Sequence, residues 1–104
     1  MRDYEMMMIL DAEIPEEGKK KVLEKVESMI KERNGKINEV IDWGIRKFAY
    51  PIRKKEEGHY FIVRFSSSPE APSEIKKEMR LINEIYRVMI IREDNVKSVK
   101  KRRT

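Results

Sequence analysis

The sequence predicts an α+β fold: a four-stranded antiparallel sheet with two helices on one of its faces. Three observations carry that expectation. Two segments hold apolar residues at helical spacing and four hold them at extended spacing. Their order along the chain is strand, helix, strand, strand, helix, strand. At 104 residues there is room for one modest core and not for two.

Residues 2–11 alternate Tyr4, Met6, Met8 and Leu10 against Glu5, Met7 and Ile9, a strand with apolar positions on both faces. Ile14-Pro15-Glu16-Glu17 opens a helix, because proline suits the first turn and early carboxylates favour the dipole. Val22, Leu23, Val26, Met29 and Ile30 form its inward stripe. Asn34-Gly35 stops it with residues that tolerate the left-handed cap conformation. Lys36–Ile52 is one long extended segment in which Gly44 and Pro51 mark a bend or bulge and an edge position. A charged turn at 54–58 leads into a hairpin partner at 59–65 with Phe61, Val63 and Phe65 pointing inward. Ser66, Ser67 and Ser68 read as caps for a second helix whose stripe is Ile75, Met79 and Ile82. Asn83-Glu84 turns the chain into the last strand, Ile85–Arg92. This order is the split βαβ, or ferredoxin-like, arrangement, and right-handed crossovers set the first and last strands side by side.

Composition narrows the chemistry. There is no cysteine, so disulfides, thiolate metal sites and a cysteine nucleophile are excluded. The apolar run from Met6 to Leu10 is too short for a signal peptide or a membrane span, and a cytoplasmic protein is expected. The formal net charge of +5 equals the charge of Lys97, Lys100, Lys101, Arg102 and Arg103 alone, leaving 19 basic against 19 acidic residues elsewhere. The expected division is therefore a neutral folded domain over 1–93 and a basic, flexible tail over 94–104 that seeks polyanions. His59 is the only histidine, no carboxylate pair has a recognisable spacing, and no glycine-rich loop precedes a helix. No catalytic residue, metal site or cofactor is expected, and His59 reads as a hydrogen-bonded structural residue.

Two surfaces carry binding chemistry instead. The segment 42–55 interleaves Arg46, Lys47, Arg53, Lys54 and Lys55 with Trp43, Phe48 and Tyr50. Such mixtures suit nucleic acid, where cations neutralise phosphates and rings stack on bases. The second surface is the sheet face away from the helices. Alternation places Met7, Ile9, Tyr60, Ile62, Met89 and Ile91 there, rimmed by Glu5, Arg64 and Arg87. An open antiparallel face is ordinarily polar, so a rimmed apolar patch points to a partner. Base stacking on that face, as in RNA-recognition modules, is not supported. The closing aromatic of their octapeptide would fall at Arg64, and its second small residue at Tyr60.

The segments MRDYEMMMIL, WGIRKFAYPI, GHYFIVRF and LINEIYRVMIIR, in this order and spacing, resemble the bacterial small-subunit ribosomal protein S6 family over residues 1 to about 93. The resemblance implies a structural role in the small ribosomal subunit. It implies binding to the central domain of small-subunit ribosomal RNA as a heterodimer with ribosomal protein S18, which would lie on the open sheet. Arg2 and Tyr4 match the family's opening pattern, Arg46, Lys47 and Tyr50 its signature, Arg80 the close of its second helix and Arg87 its late strand. With Arg53 and Lys54 these are the expected RNA contacts, mostly to phosphates, Tyr4 being expected to pack at the core edge. Phe48 stands where the family commonly has leucine, and an inward position is expected for it. Two rival readings have weaker support. A small-molecule-sensing or protein-interaction module that dimerises through its sheet would need glycines near the first strand–helix turn, where only Gly18 occurs. An acylphosphatase-type enzyme would need a phosphate loop near the chain start, and none is present.

Overall fold

The structure is a computed structural model that describes residues 1–93. The expected boundary at residue 94 and the tail cations Lys97, Lys100, Lys101, Arg102 and Arg103 lie outside the described residues. The elements are β1 (Arg2–Asp11), α1 (Glu16–Glu32), β2 (Lys36–Ile52), β3 (Lys55–Ser67), α2 (Ala71–Met79) and β4 (Ile85–Arg92). The strands form one antiparallel sheet in the order β2-β3-β1-β4. This is the expected ferredoxin-like arrangement.

The period-two alternation of β1 sends Tyr4, Met6, Met8 and Leu10 under the helices, where all are buried. They meet Phe61, Val63 and Phe65 of β3 and the stripes Val22, Val26, Ile30 of α1 and Ile75, Met79 of α2. Fully burying each such side chain stabilises the fold by roughly 1.5–3 kcal/mol. Past the end of α1, Asn34 adopts a left-handed φ of 61°, and the Gly35 N–H donates to Ile30 O at 2.9 Å. Arg33 then ties the helices together, donating to Glu74 at 3.2 Å, to Glu78, and to the Met29 carbonyl at 3.0 Å.

Three local expectations are corrected. Ser66 and Ser67 belong to β3 and do not cap α2, because pairing with β1 continues as far as Arg2 opposite Ser67. Ser66 Oγ donates to Asp3 Oδ1 at 2.5 Å, and α2 begins after Glu70 with no side-chain cap. The hairpin turn is not the five residues 54–58. It is the two residues Arg53 and Lys54, with φ of 51° and 64°, between the paired Ile52 and Lys55. Two consecutive left-handed residues match the right-handed twist of the strands they join.

The third correction concerns Phe48. Between the pairs Lys47–Glu57 and Ile52–Lys55, β2 holds four residues where β3 holds one. The surplus chain, 48–51, leaves the sheet plane as a bulged arm. It carries Phe48 to the face away from the helices, where its ring lies 6.3 Å from Tyr60 and 6.4 Å from Tyr86. A side chain at Gly58 would meet both Phe48 Cζ and Ile9 Cγ2, at 2.7 and 2.5 Å, so glycine permits this close approach.

Candidate interaction surfaces

The open face is built by register. Met7 of β1 pairs with Ile62 of β3 and Met89 of β4, Ile9 with Tyr60 and Arg87, and Glu5 with Arg64 and Ile91. These nine side chains share one face, as the alternation predicts. Their exposure is less even than expected. Ile9, Ile62 and Glu5 are buried, at 5%, 3% and 8% exposure. Met7, Tyr60, Arg64 and Ile91 are half-buried, and only Arg87 and Met89, the latter at 52%, are exposed. The arm accounts for part of this difference by lying over Ile9 and Tyr60. A cleft of about 310 Å³ remains between arm and sheet, walled by Phe48, Tyr50 and Ile52 on one side and Met7, Tyr60 and Met89 on the other. Tyr50 projects from the arm with 82% exposure.

At the opposite end the same face is acidic. Arg64 donates through Nε to Glu5 at 3.1 Å and through Nη1 to Glu39 at 2.8 Å, with Glu93 at 3.9 Å. One guanidinium therefore sits among three carboxylates. Asp3 lies one ladder step beyond, opposite Ser66.

The expected phosphate-binding residues divide into groups. Arg46 folds over the Trp43 ring, 4.9 Å from its centroid, and donates to the Trp43 carbonyl at 3.3 Å. Lys47 and Lys54 are exposed along the β2–β3 hairpin, and Arg2 is exposed at the far end of β1. Arg53, Arg80 and Arg87 come together, and with Lys76 they line a cleft of about 280 Å³ between α2 and β4 that has no carboxylate in its wall. Lys76 was not among the expected residues. Its spacing of one helical turn from Arg80 is the sequence signal that points to it. Arg53 is already engaged, donating to the carbonyls of Asn83 at 2.9 Å and Ile85 at 3.4 Å with its guanidinium 5.1 Å above the Tyr86 ring. Tyr4 is no surface residue. It is 6% exposed and its ring stacks on Phe65 at 5.6 Å, in keeping with packing and not with RNA contact.

One polar relay, buried at Lys19 and His59, lies outside both surfaces. Lys19 of α1, 4% exposed, reaches His59 Nδ1 at 2.7 Å, and His59 Nε2 reaches Asp42 Oδ1 at 2.6 Å. An ammonium only donates, so Nδ1 accepts from Lys19 and the Nε2–H donates to Asp42. That hydrogen bond holds the Asp42 carboxyl below its ordinary range against the opposing effect of burial. Asp42 also accepts the Gly44 N–H at 2.8 Å, where β2 bulges and Gly44 adopts φ 83°. His59 is thus a hydrogen-bonded structural residue, stacked on Phe61 at 4.3 Å. Among the described residues, no group of three or more His, Cys, Asp or Glu side chains could hold a metal ion.

Comparison with known proteins agrees with this architecture. The profile of the family described as Ribosomal protein S6 matches residues 3–92. The "Small ribosomal subunit protein bS6" of Caldanaerobacter subterraneus subsp. tengcongensis is 41% identical over 95 residues, covering 91% of this chain and all of that protein. That of Clostridium novyi is 37% identical over 91 residues, covering 88% of this chain and 96% of its own. The crystal structure of 30S ribosomal protein S6 from Thermotoga maritima superposes with a TM-score of 0.83 at 36% identity, covering 99% of this chain and 98% of that one.

Proposed function

The chain belongs to the ribosomal protein S6 family, a structural protein of the small ribosomal subunit, and from that premise we propose that it binds the central domain of small-subunit ribosomal RNA together with an S18-type partner. The observation that carries the proposal is the separation of two surfaces of different chemistry. The open sheet is apolar at its centre and acidic at its Glu5–Glu39–Glu93 end, which suits a small basic protein with an apolar contact strip. The α2–β4 edge and the hairpin carry cations suited to phosphate. Electrostatic complementarity of this kind sets orientation and association rate more than raw affinity.

In this reading Met7, Tyr60, Met89 and Ile91 meet the protein partner directly. Glu5 and Arg64 orient it, and Ile9 and Ile62 support the contact from beneath. Arg2, Arg46, Lys47, Lys54, Arg80 and Arg87 meet phosphates, positioning the protein without reading sequence. Tyr50, exposed at the end of the arm, is placed to stack on an unpaired base. The cations Lys97, Lys100, Lys101, Arg102 and Arg103 strengthen attraction to RNA non-specifically.

The test is titration of the chain into central-domain RNA fragments across a salt series, with and without the basic partner. Binding that weakens steeply with salt and tightens when the partner is present is expected. Equal, salt-insensitive binding in both cases would overturn the proposal.

A further inference from the structure

Arg53 ties together two features that lie far apart in the chain. It sits at the tip of the β2–β3 hairpin, yet its guanidinium docks on the Asn83 and Ile85 carbonyls at the start of β4, across the sheet. There it forms one wall of the cleft that Lys76 and Arg80 of α2 and Arg87 of β4 complete. Arg87 and Val88 also line the apolar cleft under the arm, so the two clefts share a wall.

A guanidinium has five N–H donors, and the two carbonyls take two of them. The remaining donors, with Lys76, Arg80 and Arg87, present cationic groups from three elements to one concavity whose lining has no carboxylate. Like charges gathered in this way repel one another until an anion arrives. A phosphate there would be shared between the arm tip and the α2–β4 framework.

We infer that the α2–β4 cleft is a phosphodiester site, and that its occupancy clamps the hairpin tip, and with it the arm 48–51, over the open sheet through Arg53. The inference rests on the RNA-binding reading. It adds that the cleft, and not the Arg46–Lys47 segment, is the primary phosphate contact, and that RNA binding stiffens one wall of the protein-docking face. The ligand is the RNA backbone, whose adjacent phosphates engage Arg53 and the α2 cations together. A free oligophosphate shares the charge but lacks that spacing.

The experiment uses the full chain, a central-domain RNA fragment and, separately, tripolyphosphate. Lys76→Ala/Arg80→Ala should weaken RNA binding by about 10-fold or more and lower the salt slope by about 2. Arg46→Ala/Lys47→Ala should do less. Hydrogen exchange at 48–55 should slow when RNA binds the wild type, and Arg53→Ala should abolish that slowing. Tripolyphosphate should compete only weakly, and competition as strong as that of RNA would overturn the choice of ligand. RNA bound normally by Lys76→Ala/Arg80→Ala, or exchange at 48–55 unmoved by RNA, would overturn the inference while leaving RNA binding itself intact. A wild-type chain that binds no RNA would overturn the parent reading as well.

Discussion

Lys19 and His59 stand forty positions apart in the chain, yet Nζ of one lies 2.7 Å from Nδ1 of the other in a setting where both residues are buried. The pair fastens the first turn of α1 to β3, and through Asp42 to the bulge of β2. A buried polar group left without its partner is destabilising by roughly 1–3 kcal/mol, whereas replacing both partners by apolar groups of similar shape is nearly neutral. Lys19→Met and His59→Phe should therefore each lower stability by about 1–3 kcal/mol. The double variant should lose clearly less than their sum, and urea unfolding at neutral pH in a double-mutant cycle measures the difference. Strict additivity would show that the relay contributes nothing as a unit.

Asp42 gives the relay a pH signature. Its hydrogen bond from His59 depresses the folded-state pKa, so the ionised form stabilises the fold. That contribution is complete above the unfolded-state value and disappears as pH falls through the lower folded-state value. The Asp42 side chain is 60% exposed, which holds the effect to under about 1 kcal/mol after solvent screening. Asp42→Asn should be less stable than the parent at pH 6, and the gap should close below pH 4. A gap of constant size down to pH 2 would assign the loss to the Gly44 turn instead.

The Arg53-Lys54 turn stores strain that can be removed at one position. Left-handed backbone is unfavourable by roughly 1–2 kcal/mol for an L-residue, while glycine adopts it freely but loses more entropy on folding. Lys54→Gly should raise the urea midpoint, with a net gain of about 0.5–1 kcal/mol. Arg53 is left in place because its guanidinium bonds hold the arm. A lower midpoint would mean that the Lys54 side chain makes a stabilising contact.

The open face should separate folding from association. Ile9 is 5% exposed, so Ile9→Glu would bury an unpaired charge and destabilise the fold by roughly 3 kcal/mol or more. Met89 lies on the same face at 52% exposure, and Met89→Glu should change stability by no more than about 0.5 kcal/mol. The Met89 variant should nonetheless lose most of its affinity for the protein partner, read by calorimetric titration. Retained affinity would move the docking surface off β4.

Much of the architecture was legible from period alone. The alternation in β1 identified both faces of the central strand, and the stripes Val22–Val26–Ile30 and Ile75–Met79 identified the faces of both helices. Strand and helix periods are local, and a single sequence displays them. What escaped was long-range or counter to type. Lys19 sits in a run of three lysines that looks solvated, and its partner is on another element. The tight turn has neither the Asn nor the Gly that ordinarily announces left-handed backbone. Phe48 changed faces because four residues of β2 oppose one of β3, a mismatch visible only once both strands are paired. The cationic cleft was half visible: Arg80 and Arg87 were expected contacts, but no local pattern brings the hairpin tip across to meet them.

The long outer strand has one further consequence. β2 runs 17 residues along an unpaired margin of the sheet, with Val40 and Ile45 at 40% and 52% exposure. A straight margin of that length would offer a continuous row of N–H and C=O groups to another chain. Its register against β3 instead shifts at 37–39, 42–44 and 47–52, so the edge bends at each break and never presents a long flat template. The broken edge is thereby a poor template for a strand of a second copy of the chain.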